Sequence, residues 1–254
     1  LTSRVQTSAE WLFPETSQLV LALVWARKGG LDPSVREAFA RAGIAHLLAI
    51  SGFHVGVVAG VLFLLLGFLG GSQTLRLILS GAGVWAYVII IGLPDAASRA
   101  AVLLTLVVFG RVAKRAVHPL GALSTAFLVL LVMDPGALIR PGFQLSFAGA
   151  AGLVLGYRPI SDRLHGFFGD RFPRGLRKGL GAGIAATLAT LPLVAWHFDR
   201  VSLVGIPLTL LATPLIVLAI PGIFLSFLLQ VLGPGPASVI ASGVEVPLLV
   251  LLDI

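Results

Sequence analysis

Charged residues are distributed along this chain so that long uncharged stretches separate them. No Asp, Glu, Lys or Arg occurs in residues 42–75, 77–94, 116–133, 141–157, 179–198 or 201–244. About 20 mostly apolar residues form a helix that crosses a bilayer core of about 30 Å, and these stretches have that length or roughly twice it. The pattern predicts spanning segments over residues 53–69, 77–93, 100–110, 120–133, 143–157, 180–196 and 239–252, with one or two more in 203–232. The 100–110 segment is short, so it either continues back through Arg99 or stops part way. Pro207, Pro214 and Pro221 predict that 203–232 is broken or re-entrant rather than one straight helix.

Ahead of these segments the pattern is amphipathic. Residues 11–25 read as an interfacial helix that carries Glu15 and ends at Arg27 and Lys28. Asp32 is placed to cap a helix with Pro33 at its first position. Within 34–42, Val35, Ala38, Phe39 and Ala42 share one face, so that helix should lie on the membrane surface. Small residues repeat every four positions at Gly52, Gly56 and Gly60, at Ala148, Gly152 and Gly156, and at Gly179 and Gly183, a spacing that lets membrane helices approach closely. The expected fold class is all-α: a polytopic transmembrane bundle of about seven to nine segments, with an amphipathic surface helix near the N-terminus and Pro-broken or re-entrant helices. Residues 1–254 read as a single membrane-embedded domain.

Composition closes the other options. With 57% hydrophobic and 11% charged residues, the chain cannot build the polar shell of a soluble domain, and it is too apolar for a disordered segment. There is no Cys, which excludes disulfides and Cys-based metal sites. The positive charge falls in two clusters. One is Arg111, Lys114 and Arg115; the other is Arg158, Arg163, Arg171, Arg174, Arg177 and Lys178, partly offset by Asp162 and Asp170. The positive-inside rule places both in the cytoplasm. Residues 134–140 then face outward, Arg76 faces inward, and 46–52 and 94–99 lie near the outer side.

Polar residues inside apolar stretches are the functional candidates. His46, Ser51 and His54 stand at the head of the first long stretch. They are open to three readings: metal ligands without a third partner, a nucleophile–base pair without a carboxylate, or a helix break at Ser51-Gly52 whose polar groups line a wet cavity. Pro94 precedes Asp95 and Arg99, four apart and able to pair on a helix. The alternative for that segment is an ordinary loop from which Arg99 snorkels to headgroups. Asp134 and Arg140 bracket a turn, after which Gly142, Gln144 and Ser146 enter an apolar helix, either cross-linking neighbours or lining a conduit. His197, Asp199 and Arg200 read as a solvated link.

Taken in order, these segments resemble the competence domain of the ComEC family. The likeness runs over about residues 18–220. It is carried by Gly30-Leu31-Asp32-Pro33, by the run from His46 through Ser51-Gly52-Phe53 to His54, by Gly92-Leu93-Pro94 with Arg99, by Asp134-Pro135, by Gly142-Phe143-Gln144-Leu145-Ser146-Phe147, and by the Pro214-Leu215 pair. The resemblance implies a membrane channel that passes single-stranded DNA across the bacterial inner membrane during natural transformation. It also implies a DNA receptor outside and a cytoplasmic helicase inside as partners beside the lipid bilayer, with a homo-oligomer left open. The family's OB-like and metallo-β-lactamase-like flanking domains are absent from this chain, which starts at Leu1 and reads as a section of a longer protein. Thr209 stands where the family tends to carry Asn, keeping a hydroxyl and losing an amide. The channel or DNA-path candidates are therefore His46, Ser51, Gly52, His54, Arg99, Gln144, Ser146 and Thr209, and the packing candidates include Gly56, Gly60, Gly152 and Pro214. Phe53 and Trp196 offer stacking surfaces, and Arg99, Arg140 and Arg200 are placed to attract phosphates. No catalytic residue, metal or cofactor is expected. The rival readings are a secondary transporter or channel for a small anionic solute and an intramembrane enzyme built on His46, Ser51 and His54.

Overall fold

A computed structural model describes residues 2–27, 29–169, 173–198 and 204–253; Lys28, Asp170, Arg171, Asp199, Arg200 and Ser202 lie outside them. Among the described residues there are α-helices and two short 3₁₀ turns, and no strand. The helices are α1 (Thr2–Leu12), α2 (Ser17–Trp25), α3 (Pro33–Arg41), α4 (Gly52–Phe68), α5 (Gln73–Ile90), α6 (Asp95–Val112), α7 (Pro119–Met133), α8 (Pro141–Phe168), α9 (Arg174–Phe198), α10 (Gly205–Leu229) and α11 (Pro234–Leu252). The 3₁₀ turns are Ala45–Leu48, before α4, and Pro135–Ile139, between α7 and α8.

The N-terminal region differs from its sequence reading. Residues 11–25 are not one interfacial helix. Chain direction changes at Phe13-Pro14-Glu15-Thr16, and α2 is apolar on all sides, so it is buried rather than laid on a surface. The anchor is remote in sequence: Glu245 of α11 accepts the Glu15 N–H at 3.0 Å and the Thr16 hydroxyl at 3.4 Å. Leu12, Phe13, Leu19, Val20 and Leu23 pack with Ile216, Ile220 and Ile223 of α10 and Leu248 of α11 in one core. The surface helix is α3. Asp32 caps it, accepting the Ser34 N–H at 2.8 Å and hydroxyl at 2.7 Å, and Pro33 opens it. Those bonds, the hydroxyl's first, hold the Asp32 carboxyl below its ordinary range. Of α3 only Phe39 is buried.

Helices α4 to α9 run up and down in sequence order, each beside the next. One end collects the start of α4, the Pro94 and Asp134 corners and the end of α9; the other collects Arg76, Arg111, Lys114, Arg115, Arg158, Arg163, Arg177 and Lys178. The two basic clusters thus lie at the same end, as the charge pattern predicts. The helix containing Arg99 does continue back through it, to Asp95. Helices α8 and α9 pack most closely. A Cβ at Gly152 would lie 2.5 Å from the Ala185 carbonyl oxygen and 2.6 Å from the Ala189 Cβ, so glycine there is what lets the backbones meet. Gly56 and Gly60 behave otherwise: among the described residues nothing lies within 4 Å of a Cβ at either, so their packing reading finds no partner there.

One further expectation is corrected. Residues 205–229 form one continuous helix despite Pro214 and Pro221. Each proline removes the donor that would reach the carbonyl four residues earlier, at Leu210 and Val217, and the helix runs on because it is held along its length by packing against α11 and α2. Helix α10 runs antiparallel to α9 but is offset along it. Gly179 and Gly183, in the first half of α9, lie against Leu210 and Ile206, so α10 begins beside that half rather than at Phe198. Among the described residues four helices are long and apolar enough to cross a membrane: α5, α9 from Arg177, α10 and α11; α4 and α7 are apolar and shorter. The chain is a helical membrane protein, and seven to nine crossings exceed what length and composition alone establish.

Candidate functional site

Residues from five separate sequence segments meet at the Gly52–Asp95–Pro141 end of the bundle. At the start of α4, Ser51 and His54 form a reciprocal cap. The Ser51 N–H donates to His54 Nδ1 at 3.0 Å, and the Phe53 N–H donates to Ser51 Oγ at 3.3 Å. The hydroxyl is also 3.0 Å from Nδ1, yet that nitrogen's single lone pair already takes a backbone N–H, which fixes the proton on Nε2. The pair is built as the N-terminal cap of α4, not as a nucleophile with its base. His46 lies on the exposed side of the 3₁₀ turn and shares none of these bonds. Gly52 places the start of α4 against Ala100 of α6, in ordinary contact. His54→Ala is expected to cost about 1–2 kcal/mol of stability through the lost cap, read as a lower midpoint of thermal unfolding in detergent. His54→Asn, whose oxygen accepts the same N–H, should recover part of it.

The second cluster ties α6 to the α7–α8 corner. Arg140 donates to Asp134 Oδ2 at 2.6 Å and to Asp95 Oδ1 at 2.9 Å. Asp95 therefore does not pair with Arg99, as their spacing suggests, because Arg140 reaches it from across the bundle. The carboxylates, Asp134 first, raise the Arg140 guanidinium above its already high range, so it stays charged at any working pH. Arg140, read as a phosphate attractor, is instead neutralised by two acids. Gly142 accommodates this clamp, since a Cβ there would come 2.7 Å from Asp95 Oδ2. Beneath it opens a cleft of about 470 Å³ whose lining includes Trp85, Pro94, Asp95, Ser98, Arg140 and Phe143.

Gln144 bridges the third pair of elements. Its amide donates to Leu138 O at 2.8 Å, and its oxygen accepts from His197 Nε2 at 2.7 Å. His197, read as part of a solvated link, is thus a fixed member of the site. Trp196 and Phe53 lie exposed on the outside of the bundle, away from any stacking partner within the chain other than the His54 edge beside Phe53. Thr209 bonds back to Gly205 O, and Pro214 lies exposed on α10. What remains is Arg99. Its Nε is buried without a hydrogen-bond partner, its guanidinium stands 5.9 Å from the Phe147 ring, and no carboxylate among the described residues pairs with it. The sequence missed Ser98, whose hydroxyl is buried without a partner, and Glu245. The one available signal for Glu245 was its isolation at the end of a 44-residue uncharged stretch.

The Competence protein family model matches residues 23–254. The chain belongs to that family. Among curated proteins, the competence chain is similar to ComE operon protein 3 of Bacillus subtilis, 29% identical over 205 residues, covering 79% of this chain and 25% of that protein. It is also similar to Recombination protein 2 of Haemophilus influenzae, 25% identical over 209 residues, covering 78% of this chain and 26% of that protein. The chain therefore spans about a quarter of the length of these relatives. No solved structure matches it. The family match contains the Ser51–His54 cap, the Arg140 clamp, the Gln144–His197 bridge and Arg99.

Proposed function

We propose that this chain is the membrane conduit of a DNA-uptake protein, passing a single strand across the inner membrane of a bacterium during natural transformation. Membership of the Competence family supports a role in DNA uptake. The observation that carries the conduit reading is the convergence of Asp95, Arg99, Arg140, Gln144 and His197 at one end of an otherwise apolar bundle. Polar groups at membrane depth are costly and persist where they line a water-filled path. With the basic end facing the cytoplasm, that convergence faces outward, where the strand arrives. The reading takes α4 to α11 as the multi-pass part, with spans near the lower end of the seven-to-nine range. It expects a DNA receptor on the outer side and a helicase on the cytoplasmic side. It assigns no bond-breaking chemistry to this chain.

The test is deletion of the gene in a transformable strain supplied with labelled DNA. Label should remain bound at the cell surface and fail to enter the cytoplasm. Undiminished entry would remove the reading. The rival for a small anion is separated by reconstituted vesicles: uptake of labelled phosphate without uptake of oligonucleotide favours it.

A further inference from the structure

Helical serines and threonines in this chain usually close on their own backbone. Ser80, Thr105, Thr190, Thr209 and Ser226 each donate to the carbonyl four residues earlier, which is how a hydroxyl is satisfied in an apolar helix. Two buried hydroxyls depart from this habit. Ser98 on α6 and Ser146 on α8 have no hydrogen-bond partner, and neither has the buried Nε of Arg99 beside Ser98. Ser98 is only 6% exposed. An unmade hydrogen bond at a buried polar atom is expensive, and three of those among the described residues fall on the facing helices α6 and α8.

Their placement follows from the helix register. Asp95 of α6 lies against Gly142 of α8. Arg99 and Ser146 each stand four residues further along, and the Arg99 contact with Phe147 confirms that they share a level, one helical turn beyond the clamp. On α8, Gly142, Ser146 and Gly149 fall on one face at i, i+4 and i+7. Gly142 meets α6, while a Cβ at Gly149 would lie 3.5 Å from Thr190 of α9. Ser146 therefore sits at the seam of α6, α8 and α9. Both α6 and α8 begin here without a side-chain cap, so their first N–H groups add positive field.

We propose that Ser98, Arg99 and Ser146 form a binding position for one phosphodiester oxyanion of the passing strand. This rests on the conduit reading and makes it specific. The position offers one cation and two hydroxyls with no carboxylate bound to them, which suits a ligand bearing a negative charge and several acceptor oxygens. A lone cation, rather than a cluster, also suits a ligand that must leave as readily as it enters. The Arg140 clamp sharpens the selection: by occupying Asp95 and Asp134, it keeps both acids off Arg99.

The experiment uses the full-length protein in nanodiscs of zwitterionic lipid, titrated with a fluorescent single-stranded oligothymidylate over a range of salt. Arg99→Gln should weaken binding about tenfold. It should also lower the slope of log K against log salt by about 0.7, the share of one phosphate contact on a single strand. Ser98→Ala and Ser146→Ala should weaken binding about threefold and leave that slope unchanged. Thermal stability separates binding from scaffolding. Removing an uncompensated buried charge should leave the unfolding midpoint of Arg99→Gln equal or higher, whereas a scaffolding role predicts a fall. Wild-type binding with an unchanged affinity and slope in Arg99→Gln overturns the position and leaves the conduit standing. Arg99-dependent binding of inorganic phosphate, or of added anionic lipid, without any binding of oligonucleotide overturns the proposal through the reading on which it rests.

Discussion

Gly152→Leu is expected to prevent the α8–α9 hairpin from closing. The added side chain has no direction in which to yield: the Ala185 carbonyl oxygen lies 2.5 Å from its Cβ position and the Ala189 Cβ lies 2.6 Å away. Backbone atoms cannot swing aside as the tip of a lysine does, so the helices must separate along their length. Overpacking typically costs about 1–3 kcal/mol, and here the contact is between backbones, so the upper part of that range applies. Loss of α8–α9 contact also displaces His197 from Gln144. The measurement is the yield of monodisperse protein after detergent extraction and its unfolding midpoint. Gly56→Leu is the matched control, since among the described residues nothing lies within 4 Å of its Cβ position. It should extract normally, and equal damage from both substitutions would refute the assignment of close packing to Gly152.

The second large effect is expected at Arg140. Arg140→Ala leaves Asp95 and Asp134 facing each other's charge without the cation between them. The Arg140 side chain is about half exposed, with 47% relative exposure, and Asp95 is more enclosed at 19%. Solvent screening keeps each bond modest, so the loss should be about 2 kcal/mol for the two together. A double-mutant cycle with Asp95→Asn tests the geometry. The double variant should lose less than the sum of the singles, with a coupling of about 1 kcal/mol. If the position beside Arg99 takes phosphate, Arg140→Ala should also depress DNA uptake beyond its effect on stability, because the freed Asp95 lies one turn from Arg99 on the same helix.

Much of this was legible in the sequence for a simple physical reason. Uncharged stretches are an averaged property, and averages survive local exceptions: α4, α5, α7 and α11 start and stop within a few residues of where charge and glycine place them. The α3 cap was readable because Asp32-Pro33-Ser34 completes it within three residues. What failed were inferences that required a partner distant along the chain. The Asp95–Arg99 spacing is correct for a helix, but Arg140 approaches from 45 residues away and wins the acid. The 11–25 stretch has the composition of an interfacial helix, and only α10 and α11 convert it into a buried one. Pro214 and Pro221 break helices in water, whereas in this bundle packing against α11 keeps one helix running through both. In the site, the residue types His, Ser and Gln marked the right region. Roles did not follow from type: Ser51 and His54 begin a helix, and the open hydroxyls are Ser146, which the motif marked, and Ser98, which carries no motif of its own.

The Glu245 contact bears on the order in which the protein is made. Glu15 leaves the ribosome 230 residues before its anchor exists, and the apolar wall that covers Leu12, Phe13 and Leu19 belongs to α10 and α11. During synthesis the first two helices must therefore wait, only partly covered by contacts such as Tyr87 with Val24, while the hairpins from α4 to α9 are delivered to the bilayer. Their docking is the closing event of assembly, and a chain interrupted before α11 would present α2 to chaperones and proteases as an unclaimed apolar segment.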